Sequence, residues 1–227
     1  MSRPCLLFDL DGTLTDADHL HHEAFNAVLA RYGREHIDAP FYKSKVMGHA
    51  NGVIFGTLFP GESAAMHLAF ALEKEARFRA LAQVMHPLPG LVDLLARAKA
   101  AGVPCAVVTN APRANVVHQL QALGLEGRFE AVVVGEELPH SKPHPLPYLT
   151  ALERLGGAAE QSLGFEDSLS GLRAGLAAGI AMAGIATSLS EARLVEEGAA
   201  LAVARYDDPR LAALIAARLG IDLAERA

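Results

Sequence analysis

Two carboxylates stand two residues apart in Asp9-Leu10-Asp11-Gly12-Thr13-Leu14-Thr15-Asp16, directly after the apolar run Cys5-Leu6-Leu7-Phe8. Alternate residues of an extended chain share a side, so Asp9 and Asp11 leave the end of a strand in one direction. Gly12 lets the chain turn sharply and brings backbone close to a ligand. Like charges held this near each other are unfavourable unless a cation or a shared proton relieves them. Metal-assisted nucleophilic chemistry is the expectation. The plain alternative is an exposed Asp-Gly hairpin turn.

Other apolar runs end the same way. Val108 is followed by Thr109-Asn110, Val134 by Gly135-Glu136-Glu137 and then Ser141-Lys142-Pro143, and Phe165 by Glu166-Asp167-Ser168. A hydroxyl, an amide, an ammonium and several carboxylates are thus offered at four strand ends. Phosphoryl transfer to a carboxylate needs such a set: a nucleophile, a cation, and partners for the phosphate oxygens.

The elements that must position these groups follow a repeating unit from residue 90 onward. Leu91, Leu94, Leu95 and Ala98 form a helical stripe ending at Gly102, before the strand-like Val103 to Val108. Val116, Val117, Leu120 and Leu123 end at Gly124, before Ala131 to Val134. Tyr148, Leu149, Leu152 and Leu155 precede Gly156 and the run Ser162 to Phe165; Leu172, Leu176 and Ala177 precede Gly179 and Ile180 to Ile185. Glycine just past a helix supplies its left-handed cap. Continuous apolar strands between amphipathic helices indicate a parallel sheet covered on both faces. The class expected is a doubly wound, Rossmann-like α/β fold with ligands at the carboxyl ends of the strands.

Residues 17 to 86 break this rhythm. Phe25, Val28, Leu29 and Tyr32 form a helical stripe, Gly48, Gly52, Gly56 and Gly61 follow, and a long helical stretch runs from about Ser63 to Val84. No strand alternates with these helices. An all-helical insertion at 17–86 is expected within an α/β core of 1–16 and 87–227, with Pro87, Pro89 and Gly90 marking the return. Leu211 to Leu219 reads as a last helix.

The chain has 227 residues, 51% hydrophobic and 20% charged, with a net charge of −6. That is a globular composition. The acidic balance argues against nucleic acid as a partner, and no apolar stretch is long enough for a membrane span. No signal-peptide layout precedes the first strand, so a cytoplasmic location is expected. Cys5 and Cys105 both lie in apolar runs and read as buried structural thiols.

In the order Asp9-x-Asp11-Gly12-Thr13, Thr109-Asn110, Lys142-Pro143, Glu166-Asp167, the chain resembles the haloacid dehalogenase superfamily. It is similar to the phosphatase and phosphomutase branch, which carries a helical cap after the first motif. The resemblance implies that Asp9 is the nucleophile of an aspartyl-phosphate and Asp11 the general acid, then base. Thr109 would bind phosphate, Asn110 would orient the site and contact substrate, and Lys142 would offset negative charge. Mg²⁺ would be held by Asp9, Asp167 and the Asp11 backbone carbonyl, with Glu166 in support. For Asp11 to carry a proton near neutral pH, its pKa is expected to be raised by Asp9 and by cap closure. Dehalogenases of the superfamily lack the second aspartate, so phosphate esters are favoured over carbon–halogen bonds.

The resemblance also bears on the cap. His21 stands where phosphosugar mutases place a histidine near the acid/base aspartate. Met47-Gly48-His49-Ala50-Asn51 resembles the loop that reads substrate, making His49, Asn51 and Lys45 the candidate contacts. The mutases carry arginine near Asn51 to hold a second phosphate, a charge asparagine does not supply. The first expectation is a phosphatase, monomeric or homodimeric, for a small phosphorylated metabolite such as a sugar phosphate or phosphoglycolate. The second is a mutase of the β-phosphoglucomutase type, and the third a catalytically silent binding protein of the same fold.

Overall fold

The computed structural model describes residues 3–47, 49 and 51–221. Six strands, β1 (Leu6–Phe8), β2 (Cys105–Thr109), β3 (Ala131–Val134), β4 (Leu163–Glu166), β5 (Ala181–Ile185) and β6 (Leu201–Val203), form one sheet in the order β3-β2-β1-β4-β5-β6. All pairings are parallel, with Leu7 opposite Ala106 on one side and Gly164 on the other. The doubly wound expectation is met. The chain grows outward from β1 in both directions, so the crevice at a topological switch lies at the carboxyl end of β1.

Strand alternation divides the core into two layers. Leu6 and Phe8 face a cluster with Val107, Phe165, Ile185 and Val203. It is closed by α5 (Leu91–Ala100), α6 (Arg113–Ala122) and α10 (Pro209–Leu219), through Leu91, Leu94, Val116, Leu211 and Ile215. Cys5 and Leu7 face the other way, against α7 (Leu146–Leu155), α8 (Leu169–Ala177) and α9 (Glu191–Glu196), through Tyr148, Leu152, Leu172 and Leu194. Both cysteines are buried free thiols, as expected.

Between β1 and α5 stand four helices: α1 (Asp18–Arg31), α2 (Ala39–Lys45), α3 (Asn51–Leu58) and α4 (Ala64–Leu81). Ser63 begins α4 by accepting from the Met66 N–H, and Asp38 begins α2 the same way with Phe41. These helices share an apolar cluster of their own, including Phe25, Tyr42, Ile54, Phe55, Phe59 and Phe70. No described helix is long and apolar enough to cross a membrane.

Candidate active site

The loop after β1 is set by hydrogen bonding and one glycine. The Asp9 N–H donates to the Phe165 carbonyl at 3.0 Å, carrying the β1–β4 ladder one residue past the strand. Gly12 then turns at φ +74°, and a Cβ there would lie 2.0 Å from Asp167 Oδ2. Only glycine gives both the left-handed conformation and this clearance. The turn is pinned by the Thr187 hydroxyl donating to the Gly12 carbonyl (2.5 Å) and the Tyr206 hydroxyl donating to that of Thr13 (3.0 Å).

Lys142 reaches the same point from the loop after β3. The Asn110 side chain clamps its backbone, accepting from the Lys142 N–H and donating to the Lys142 carbonyl, each at 3.1 Å. Its ammonium donates to Asp9 Oδ1 at 2.7 Å and to Glu166 Oε1 at 2.5 Å. Glu166 is fully buried and also accepts from Tyr148 Oη (2.9 Å) and Ser168 Oγ (3.1 Å). Gly171 makes room for it, since a Cβ there would lie 1.7 Å from Glu166 Oε1. Both Glu166 oxygens are therefore engaged, and the group acts on the site through Lys142.

Asp167 completes the acidic cluster. One carboxylate oxygen each from Asp9, Glu166 and Asp167 lies within 4.8 Å of the others. Asp167 accepts from Thr13 Oγ1 at 3.4 Å and contacts the Ser188 hydroxyl, which also lies 2.6 Å from Asp18 Oδ2. That hydroxyl has a single proton for two carboxyl groups. Burial pushes the Asp9 carboxyl up to about 7, with Glu166 adding to the rise and Lys142 opposing it. Burial, Asp9 and Glu166 likewise push Asp167 well above the usual carboxylate range. Three buried carboxyls with one ammonium between two of them offer oxygen ligands and an excess of negative charge, which fits a hard divalent cation.

Asp11 points the other way, toward the helices. His21 Nε2 lies 3.0 Å and Gln119 Nε2 2.9 Å from Asp11 Oδ1. Lys74 Nζ lies 2.9 Å from His21 Nδ1. An ammonium only donates, so Nδ1 accepts and Nε2 carries the proton given to Asp11. Lys74 also pairs with Glu75 Oε1 at 3.0 Å; Glu75 accepts from Asn51 (2.6 Å) and from Asn115 on α6 (2.5 Å). The expected rise in the Asp11 pKa is not found. Burial pushes it up, but His21, Gln119 and Lys74 together outweigh burial and hold the carboxyl below its ordinary value. The sequence reading counted Asp9 as the dominant neighbour; the donors on α1 and α6 and the Lys74 charge on α4 dominate instead.

One cleft of about 690 Å³, including its open mouth, lies between the strand ends and the four helices. Asp9, Asp11, His21, His49, Asn51, Thr109, Asn110, Lys142 and Asp167 all line it, so nine of the expected residues converge. Glu166 lies beneath its floor. The hydroxyl of Thr109 accepts from the Ala111 N–H at 3.0 Å, which fixes its rotamer at the end of β2. His49 is exposed, with Nδ1 3.0 Å from the Met47 carbonyl. Lys45 is exposed and does not line the cleft. Gly48 and Ala50 of the expected contact loop lie outside the described residues. Sequence reasoning missed Asp18, Tyr42, Lys74 and Glu75, which also line the cleft, and Gln119 and Ser188 behind it. The first-turn Asp18, two residues past Asp16, was the one signal available.

The family model described as haloacid dehalogenase-like hydrolase matches residues 6–185, and the chain belongs to that family. It is 36% identical over 219 residues to protein CbbY, plasmid, of Cupriavidus necator, covering 90% of this chain and 86% of that one. It is 29% identical over 210 residues to a phosphorylated carbohydrates phosphatase of Thermotoga maritima, covering 89% and 94%. The solved structure of a CbbY mutant from Rhodobacter sphaeroides in complex with xylulose-(1,5)bisphosphate superposes with a TM-score of 0.81. Identity there is 26%, over 90% of this chain and 95% of that chain.

Proposed function

We propose that this chain is a Mg²⁺-dependent phosphatase that hydrolyses a small phosphomonoester, of the sugar phosphate or phosphoglycolate type, through an aspartyl-phosphate on Asp9. The family and its phosphatase relatives make the chain a phosphoric monoester hydrolase. The observation that carries the mechanism is the Lys142 ammonium held between Asp9 and Glu166, with Asp167 beside them.

Asp9 attacks phosphorus, and the leaving oxygen takes a proton from Asp11. Water then attacks the acyl phosphate while Asp11 takes a proton from that water, and Asp9 returns as carboxylate. In the free site Asp11 is held ionised, which is the form the second step requires. An entering phosphate dianion raises the pKa of a neighbouring carboxyl by like charge, and this supplies the donor form for the first step. Lys142 offsets charge on Asp9 and on the transferring group, and Thr109 hydrogen-bonds a phosphate oxygen. Asp9, Asp167 and the Asp11 carbonyl would hold Mg²⁺, with Glu166 supporting them through Lys142; the ion would supply further charge neutralisation. Residues 17–86 act as a cap that excludes water, with His21, His49 and Asn51 facing the substrate.

A single phosphate suits the cleft. No arginine is among its described lining residues. Its two lysines are already paired, Lys74 with Glu75 and Lys142 with Asp9 and Glu166. The Nδ2 of Asn51 is committed to Glu75, which leaves its carbonyl oxygen, an acceptor, for substrate. A second phosphate would find no free cation there. The test is release of inorganic phosphate from a panel of phosphorylated metabolites, with Mg²⁺ and with chelator. Metal-dependent release is expected, with higher kcat/KM for monophosphates than for bisphosphates. Isomerisation of β-glucose 1-phosphate without free phosphate would contradict hydrolysis. A bisphosphate as best substrate would contradict the single-phosphate reading.

A further inference from the structure

Gln119 is the one fully buried side chain of α6 that touches a reacting group. It shows no exposure, and its Nε2 donates to Asp11 Oδ1 at 2.9 Å. Its Oε1 is also buried and has no hydrogen-bond partner among the described residues. A carboxylate only accepts, so the amide cannot be turned round to rescue that oxygen. An apolar side chain of similar size would leave no orphaned acceptor there. The amide is thus poorly suited to stability and well suited to placing one N–H on Asp11.

Both donors reach the same oxygen. His21 and Gln119 meet at Oδ1, while Asp11 Oδ2 has no hydrogen-bond partner among the described residues. The donors come from different parts of the molecule: His21 from α1 among the four helices, Gln119 from α6 against the sheet. We propose that Gln119 is a positioning residue for proton transfer, fixing the Asp11 carboxyl from the sheet side so that Oδ2 alone exchanges a proton with substrate and water. This rests on Asp11 being the acid and base proposed above. As the Asp9–phosphorus bond forms and the ester P–O bond breaks, the Oδ2 proton passes to the leaving oxygen. Oδ2 then takes a proton from water as water oxygen bonds to phosphorus and Asp9 departs.

The test is Gln119→Met, with Gln119→Leu as a second apolar variant. Turnover is measured on an alkyl phosphate, whose alkoxide must be protonated as it leaves, and on p-nitrophenyl phosphate, whose phenolate need not be. We expect kcat/KM, which reports the step in which the leaving group departs, to fall about tenfold on the alkyl ester and to change little on the nitrophenyl ester. The thermal midpoint should not fall. In an Asp11→Asn background the Gln119 substitution should add nothing. Equal losses on both esters, or no loss on either, would overturn the positioning role. If Asp11→Asn itself shows no dependence on the leaving group, the acid assignment of Asp11 fails; if it does and Gln119→Met does not, only the role of Gln119 fails.

Discussion

Replacing Asp9 with asparagine should abolish turnover, by about five orders of magnitude, and leave a folded protein that is more stable than the parent without metal. The amide keeps the shape and still accepts from Lys142 (2.7 Å in the parent), but it is no longer an anionic nucleophile. Its effect on stability follows from the crowded carboxyls. The Asp9 pKa is raised from 3.8 to about 7 by burial first and Glu166 second. A carboxyl whose folded pKa lies above its unfolded one contributes stability below the unfolded value, and loses it as pH rises through the folded value. The parent should therefore weaken between about pH 4 and 7, and the variant should gain most above pH 7. Thermal melts in chelator at pH 5 and 8 check this. The gain should reverse in excess Mg²⁺, which the parent binds more tightly. A variant that turns over at a tenth of the parental rate would remove Asp9 from the chemistry.

Lys142→Met should be the most damaging substitution for stability in the site, costing about 3–5 kcal/mol near neutral pH. The ammonium is almost wholly buried and is the hydrogen-bond donor common to Asp9 and Glu166. Methionine fills the space but leaves two buried carboxylates facing Asp167 without a counter-ion. Protonation of Asp9 relieves the repulsion, so the loss should shrink at pH 5 and grow at pH 8. Denaturant titration at the two pH values measures it. Equal losses at both would mean that packing of the lysine stem, not its charge, holds the site together. Turnover should fall with Mg²⁺ present as well, because the phosphoryl group loses its cation partner from the loop after β3.

The α/β core and the carboxylates at its strand ends were legible in sequence for one reason. Parallel strands buried on both faces are continuous apolar runs, so a polar residue at their carboxyl end stands out, as Asp9, Thr109 and Asp167 do. Lys142 stood out by its order among them. The polar groups on helices did not. Glu73-Lys74-Glu75 reads as a solvated run, yet Glu73 pairs with Arg31 and Arg77 while Lys74 and Glu75 turn inward. Gln119 sits in Val116-Val117-His118-Gln119-Leu120, where nothing local distinguishes a buried glutamine from an exposed one. Tertiary contact across more than a hundred residues decides it. The sign of the Asp11 shift was hidden for the same reason, since its two donors and the nearby Lys74 charge come from three helices. β6 is three residues long and follows Gly198-Ala199-Ala200, too little pattern to separate it from the end of α9.

The intermediate can be caught directly. Protein mixed with Mg²⁺ and a turned-over phosphomonoester, then quenched in acid within one turnover, should carry one phosphoryl group on the peptide containing Asp9. That label should be lost on mild base treatment, as an acyl phosphate is, and should be missing from Asp9→Asn. Phosphate released at the normal rate with no label on that peptide, or a label on any other residue, would contradict nucleophilic attack by Asp9.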